Sequence, residues 1–124
     1  PRSTKIRSSA ASDVYKIQLR NDLNSRKMQK DLIVEEFKEF IEADYNMAMM
    51  DINSRADCLK ELADLVYVAA QYAENMDWDL EQALRRVHQS NMSKLGEDGK
   101  PVRRADGKVL KGPNYEPPTL TDLV

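Results

Sequence analysis

The sequence predicts an all-α protein, a four-helix-bundle-like assembly that is completed by oligomerisation and carries an irregular basic C-terminal tail. Neither glycine nor proline occurs between Lys27 and Met50, and apolar residues recur there at helical spacing. All four glycines and four of the five prolines come after Lys94. A helical domain over residues 13–95 and an extended tail over 96–124 are therefore expected, with residues 1–12 as a flexible arm.

The first long helix is predicted from Lys27 to about Met50, with its apolar face formed by Ile33, Phe37, Phe40 and Ile41. The preceding segment, residues 13–23, is also expected to be helical, although its apolar residues partly alternate as in a strand. These assignments place most of the charged middle of the chain on helices.

Two more helices follow in the predicted domain. The second is expected from about Arg55 to Asn75, with Ser54 as its N-cap and Asp57 at the capping-box position. The third is expected over residues 80–94, after a cap at Asp77 or Asp79, with an inner face made by Leu80, Ala83, Leu84 and Val87.

The tail contains two Asp-Gly turn signals, at residues 98–99 and 106–107. Val102 and Val109 flank the second signal, so a small hairpin fits there. Beyond it the chain is expected to run extended through Pro117 and Pro118. We expect this tail to pack on the helical domain or on a neighbouring subunit.

The charge distribution excludes several classes of protein. Residues 32–81 hold thirteen acidic and three basic side chains, whereas both flanks are basic. This pattern is unlike a nucleic-acid-binding stripe, so no nucleic-acid partner is expected. No apolar run reaches the ~18 residues of a membrane span, and the single Cys58 forms neither a disulfide framework nor a cysteine zinc site. A reducing, cytoplasmic setting is expected.

Acidic residues recur at helical spacing on the two long helices. Glu36 and Glu39 are three residues apart in the first helix, and Glu61 and Asp64 repeat that spacing in the second. Asp64 stands among apolar residues, so its charge requires either a basic partner or a metal ion. Carboxylates from two facing helices form a hard oxygen site that suits Mg²⁺ or Mn²⁺. The alternative is an ordinary solvated acidic face.

The stretch "EEFKE", followed after 21 residues by "ELAD", resembles the Glu-Glu-x-x-Glu … Glu-x-x-Asp signature of the MazG-like all-α NTP pyrophosphohydrolases. That superfamily includes dimeric dUTPases, dCTPases and phosphoribosyl-ATP pyrophosphohydrolase. The closing stretch, residues 88–120, is similar to the tail of short single-domain members related to the last of these, a group that includes phage-encoded proteins. The host cytoplasm is then the expected location.

The resemblance implies cleavage of a nucleoside triphosphate into a monophosphate and pyrophosphate by water that a bound metal activates. It also implies that Glu36, Glu39, Glu61 and Asp64 are the metal ligands, with Mg²⁺ as the cofactor and Mn²⁺ able to replace it. Glu35 would then be a general base or a brace for the ligands. A homodimer or homotetramer with sites at subunit contacts is implied as well.

Basic and aromatic residues are expected to bind the nucleotide. Asn91 and Lys94 resemble an Asn-x-x-Lys element that contacts nucleotide in relatives. Further candidates lie in the tail and before the first acidic motif, where a solvated surface is the competing interpretation; they are Arg103, Lys108, Lys111, Tyr115 and Lys30.

Three functional hypotheses remain open from the sequence. The first is a (d)NTP pyrophosphohydrolase in nucleotide-pool control, with purine dNTPs such as dGTP or dATP favoured. The second is a phosphoribosyl-ATP pyrophosphohydrolase. The third is a helical oligomer that binds metal or nucleotide without turnover. We expect no membrane partner in any of the three.

Overall fold

The structure is a computed structural model that describes the backbone of residues 9–124 and the side chains from Asn24 onward. Its described residues form three α-helices, α1 (Ser9–Asn46), α2 (Ile52–Asn75) and α3 (Leu80–Met92). A two-stranded sheet, β1 (Val102–Arg103) and β2 (Val109–Leu110), and a 3₁₀ helix at Thr121–Leu123 follow. The predominantly helical class predicted from the sequence is confirmed.

Helix α1 is one continuous helix of 38 residues. The segment 13–23 therefore continues the first long helix, and the last four residues of the predicted flexible arm are also helical. The rest of that arm, residues 1–8, lies outside the described residues. The absence of glycine and proline throughout α1 removes every backbone reason for a break.

Helix α2 begins earlier than predicted, and its N-cap is Asp51 instead of Ser54. The Asp51 carboxylate accepts the Asn53 N–H at 3.1 Å. Ser54 lies one turn further on, where its hydroxyl accepts the Ala48 N–H at 3.1 Å. The prediction of Ser54 was wrong because the helix begins at Ile52 and Asp51, with an extended backbone, takes the N-cap position. Ser54 fastens the α1–α2 connection instead.

Among the described residues, those up to Trp78 form one compact unit and residues 79–124 form a second. In the first unit α1 and α2 pack against each other as an antiparallel pair joined by residues 47–51. The described core of this unit is small, with Cys58, Val68 and Ala73 as its buried apolar residues. Cys58, the single cysteine, is thus a buried side chain with a free thiol. Trp78 stacks at a tilt on Tyr72, with ring centroids 5.9 Å apart, but remains 37% exposed.

The second unit consists of α3 and the tail that returns to it. Asp79, one of the two predicted caps, accepts the Gln82 N–H at 3.1 Å. The predicted hairpin is present, with Val102 opposite Leu110 and Arg103 opposite Val109. Gly107 closes its turn with a positive φ of 88°, a conformation that favours glycine. Two residues of the predicted inner face of α3, Leu84 and Val87, are exposed in the single chain.

Polar contacts hold the end of the tail on α3. Arg86 binds both carboxylate oxygens of Asp122, at 2.6 and 2.9 Å, and donates to the Thr119 carbonyl at 2.9 Å. The Ser90 hydroxyl donates to the Glu116 carbonyl at 2.7 Å. The buried Leu123 accepts the Asp79 N–H through its carbonyl at 3.2 Å. The tail thus returns to the N-terminus of the helix that precedes it.

Gly112 permits the close passage of the tail over the end of α3. A Cβ at this position would lie 2.6 Å from the Lys94 carbonyl oxygen and would also clash with the Leu95 carbonyl oxygen. We expect Gly112→Ala to lower the free energy of unfolding by about 1–3 kcal/mol, because rigid backbone must move to accept the methyl group. Urea unfolding followed by circular dichroism measures this loss.

Gly96→Ala is the matched control for this substitution. Its Cβ would meet side-chain atoms, Asp98 Oδ1 at 3.1 Å and Val102 Cγ2 at 3.2 Å, which can shift. Equal losses in the two variants would contradict the assigned role of Gly112.

Candidate functional site

Three of the four predicted ligands meet between α1 and α2. Glu36, Glu39 and Glu61 each offer a carboxylate oxygen, and these oxygens all lie within 4.8 Å of one another. Residues three apart on α1 share a face, and the antiparallel packing brings that face to α2. Two oxygens on opposite sides of one hard cation lie about 4–5 Å apart, twice the metal–oxygen distance of ~2.0–2.6 Å. The cluster therefore has the span of one coordination shell.

Two carboxylate oxygens of this cluster are buried and unsatisfied. Glu36 Oε2 and Glu61 Oε2 have no hydrogen-bond partner among the described residues, although both residues are half-buried. An ionised oxygen without a partner in such a place is costly. Both atoms therefore need a donor or a cation that the described side chains do not supply.

The crowding of the carboxyl groups raises the pKa of Glu39, the third member of the cluster. The hydrogen bond with Glu36 raises the pKa of Glu39 above its ordinary 4.5, and the negative charge of Glu36 adds to the effect. Desolvation and the charges of Glu61 and Glu35 act in the same direction. Glu39 thus holds a proton more tightly than a solvated glutamate, as one member of a crowded carboxylate pair does.

Asp64 lies outside the cluster in this structure. Its Oδ2 forms an ion pair with Lys60 Nζ at 2.7 Å, and Lys60 also lies 3.4 Å from Glu61 Oε1. The Asp64 side chain is 38% exposed. The single chain therefore does not bury this residue as its apolar neighbours suggested, because one helix covers only one side of α2.

The signal for this ion pair is present in the sequence, since Lys60 precedes Asp64 by one helical turn. The pair was missed because a cation was favoured as the compensating charge. Asp64 as a metal ligand remains a prediction.

An open groove of about 500 Å³ borders the acidic cluster on the side of the α1–α2 connection. Sequence reasoning missed several of its polar lining residues. Glu42 and Asp57 are readable from helical spacing, because they lie one turn from Glu39 and Glu61 respectively. The groove makes the cluster accessible to a ligand from solvent.

In the second unit, two predicted lysines converge on the predicted tyrosine. Lys111 Nζ lies 4.9 Å from the centroid of the half-buried Tyr115 ring, and Lys94 Nζ lies 6.0 Å from it. Cations are attracted to the face of an aromatic ring. Neither ammonium group forms an ion pair within the described part of the chain, so both can bind an anion.

The other predicted basic residues are not gathered at this ring. The Arg103 guanidinium donates to the Gly107 carbonyl at 2.8 Å and so serves the hairpin turn. Lys108 is exposed on the same hairpin, Asn91 is exposed on α3, and Lys30 is exposed on α1. Glu35 is likewise exposed on α1, outside the cluster of three. The structure gives these residues no contact that tests their predicted roles.

The chain matches the family model described as phosphoribosyl-ATP pyrophosphohydrolase over residues 5–91. This segment is well over half of the 124 residues and contains both acidic motifs. The chain belongs to the phosphoribosyl-ATP pyrophosphohydrolase family. The resemblance drawn from the sequence is thereby confirmed. A comparison with the curated proteins finds no match.

Membership of the phosphoribosyl-ATP pyrophosphohydrolase family supports an activity of the nucleotide pyrophosphohydrolase type. The residues present fit the divalent cation that is typical of the family. They form an all-oxygen donor set of the right span, and two of its buried oxygens have no other partner. No helix in the described part of the chain is long and apolar enough to cross a membrane.

Glu39→Gln is expected to stabilise the metal-free protein at neutral pH. The folded protein holds the Glu39 proton more tightly than the unfolded chain does, so the ionised carboxylate destabilises the fold above the raised pKa. This penalty shrinks as pH falls toward the ordinary value of 4.5. Urea unfolding in EDTA should therefore show a gain for Glu39→Gln that is largest at neutral pH.

Glu42→Gln is the control, because Glu42 lies on the same helix and is not among the groups that raise the pKa of Glu39. A gain for Glu39→Gln that does not change with pH would contradict the proton linkage.

Proposed function

We propose that the protein is a Mg²⁺-dependent nucleoside triphosphate pyrophosphohydrolase that converts a (d)NTP into the (d)NMP and pyrophosphate, with Mn²⁺ able to replace Mg²⁺. The observation that carries the proposal is the cluster of Glu36, Glu39 and Glu61, with its two buried, partnerless oxygens, in a chain of this family. Carboxylate-held Mg²⁺ typically keeps coordination positions open for water and substrate phosphates.

The acidic residues of the first unit have separate roles in the proposed reaction. Glu36, Glu39 and Glu61 hold the cation, and Asp64 joins them as the fourth ligand. Glu35, exposed on the same helix, takes up the proton of the attacking water or orients that water. When bound, the cation supplies charge neutralisation on the phosphates and a lowered pKa of coordinated water.

Lys94 and Lys111 are proposed to bind phosphate groups of the substrate. Lys94 and Lys111 meet at Tyr115 without carboxylate partners there, so they can stabilise the charge of the departing pyrophosphate. The other residues proposed to contact the nucleotide are Asn91, Arg103, Lys108 and Lys30.

The substrate is one of two compounds that share a triphosphate. A purine dNTP such as dGTP or dATP is proposed first, in control of the cytoplasmic nucleotide pool. Phosphoribosyl-ATP is the second candidate and is also consistent with the family match, because that compound gives the family its name. Both reactions break the bond between the α- and β-phosphates.

A homodimer or homotetramer is part of the proposal. Helix α1 exposes Val34, Phe37 and Ile41 by 46, 51 and 48%, at positions that share one helical face. A second exposed stripe on α2 includes Leu59, Leu62 and Val66. Phe37 and Ile41 belong to the predicted apolar face of α1, and the single chain leaves both of them exposed. A second copy that packs on these stripes would complete a four-helix bundle.

Incubation with Mg²⁺ and each NTP, dNTP or phosphoribosyl-ATP should release pyrophosphate from one of these compounds. In Glu36→Gln the rate should fall by about a hundredfold or more, because even groups that only orient a metal ligand contribute about ten- to hundredfold. Pyrophosphate and monophosphate are quantified by ion-exchange chromatography.

Glu74→Gln serves as the control and should keep the rate of the unmodified protein, because Glu74 is exposed on α2 and lies outside both the cluster of three and the groove. Circular dichroism verifies that both variants fold. Undiminished pyrophosphate release by a folded Glu36→Gln protein would refute the proposed site.

Sedimentation equilibrium should give a dimer or a tetramer for the unmodified protein. Val66→Asp should weaken that assembly at least about tenfold, because it places a charge in the proposed apolar contact, and about 1.4 kcal/mol is enough for such a change. Gln71→Asp, an exposed change on the same helix, should leave the assembly intact. A monomeric unmodified protein would contradict the proposed oligomer.

A further inference from the structure

Lys60 occupies an unusual position beside the acidic cluster. Its ammonium group lies between two members of the acidic motif of α2, 2.7 Å from Asp64 Oδ2 and 3.4 Å from Glu61 Oε1. Among the described residues, no other basic side chain forms an ion pair with any of the four proposed ligands. Lys60 is thus the local counter-charge of this site.

The two oxygens of Glu61 have different surroundings. Oε1 faces the Lys60 ammonium, whereas Oε2 is buried and partnerless. Glu61 therefore belongs both to the cluster with Glu36 and Glu39 and to the ion pair outside it. A rotation of the Glu61 carboxylate that moves one oxygen also moves the other, because the group is rigid.

We propose that Lys60 is a tethered counter-ion that holds Asp64 away from the cluster and that a divalent cation must displace when it binds. This inference rests on the proposed metal site and adds a positioning residue to it. Binding of the cation turns Asp64 toward Glu36, Glu39 and Glu61, and the Lys60 ammonium moves into solvent.

The exchange is energetically accessible because both partners are partly solvated. The Lys60 side chain is 66% exposed, so its ammonium regains water when it leaves the pair. A divalent cation carries twice the charge of an ammonium group and binds several carboxylates at once. Lys60 therefore lowers the affinity for the cation, and its single positive charge offsets part of the negative charge of Glu61 and Asp64 while no cation is bound.

The test measures Mn²⁺ binding to EDTA-treated full-length protein by electron paramagnetic resonance of the free ion. Lys60→Met should tighten binding about three- to tenfold, because it removes both the competing ion pair and the repulsion of the cation. Lys60→Arg, which keeps the charge, should bind Mn²⁺ as the unmodified protein does. Lys60→Gln is a second neutral variant with a polar side chain.

Lys38→Met is the matched control. Lys38 is exposed on α1 next to Glu39 and pairs with no carboxylate among the described residues. It reports the effect of a lost positive charge near the cluster without a lost ion pair. Equal tightening in Lys38→Met and Lys60→Met would overturn the proposal, because the effect would then be long-range electrostatics alone.

A double-mutant cycle with Asp64→Asn tests whether Lys60 acts through Asp64. Asp64→Asn alone should weaken Mn²⁺ binding, and in its presence Lys60→Met should lose most of its tightening effect. Additive effects would overturn the proposal while leaving the metal site in place. Failure of the unmodified protein to bind Mn²⁺ would instead refute the proposed metal-dependent function, and the role of Lys60 with it.

Discussion

Three carboxyl groups crowded between two packed helices are the constraint on which the first unit of this protein depends. Antiparallel packing of α1 and α2 brings Glu36 and Glu39 against Glu61, with their oxygens within 4.8 Å. Like charges at such distances oppose the packing. The hydrogen bond with Glu36 and this repulsion raise the pKa of Glu39, and the ammonium group of Lys60 beside Glu61 offsets part of the negative charge. Neither effect satisfies the buried oxygens of Glu36 and Glu61, and these two atoms are the basis of the proposed divalent cation.

The same helix pair is limited in what it can bury. Two helices leave one side of each uncovered, and here the uncovered sides carry apolar stripes that include Phe37 and Val66. The described residues include no large side chain that is fully buried. Burial of such stripes is the main favourable contribution to folding and association. The proposed assembly would therefore also support the acidic cluster. A third and a fourth helix packed on the apolar stripes would hold α1 and α2, and with them the three glutamates, in place.

The second unit reaches stability by a different route. Its tail contains most of the glycines and prolines and forms little regular structure, yet it is tied to α3 at several points. Arg86 forms a bidentate pair with Asp122, and Ser90 and Ser93 both bind the backbone of Glu116. Ion pairs and hydrogen bonds of this kind hold the tail in place because it has few apolar side chains to bury. The passage of the tail over Lys94 then places Lys111 and Tyr115 beside that lysine.

Sequence reasoning succeeded where the signal is local. Helical spacing predicted the three helices, the Asp-Gly signal predicted the hairpin, and the two-part acidic motif predicted the family. It failed where several local solutions compete. Both Asp51 and Ser54 can cap α2, and backbone geometry decided for Asp51. The helix predicted over residues 13–23, by contrast, is present as part of α1.

Periodicity by itself determined which residues share a face, and therefore that Glu36 and Glu39 lie together. Only the tertiary structure decided what each face meets. It placed Glu61 in the cluster and left Phe37 and Ile41 uncovered. It also paired Asp64 with Lys60 in an ion pair. The physical reason is that helical spacing reports one helix at a time, whereas burial and the choice of ion-pair partner depend on the distance between helices.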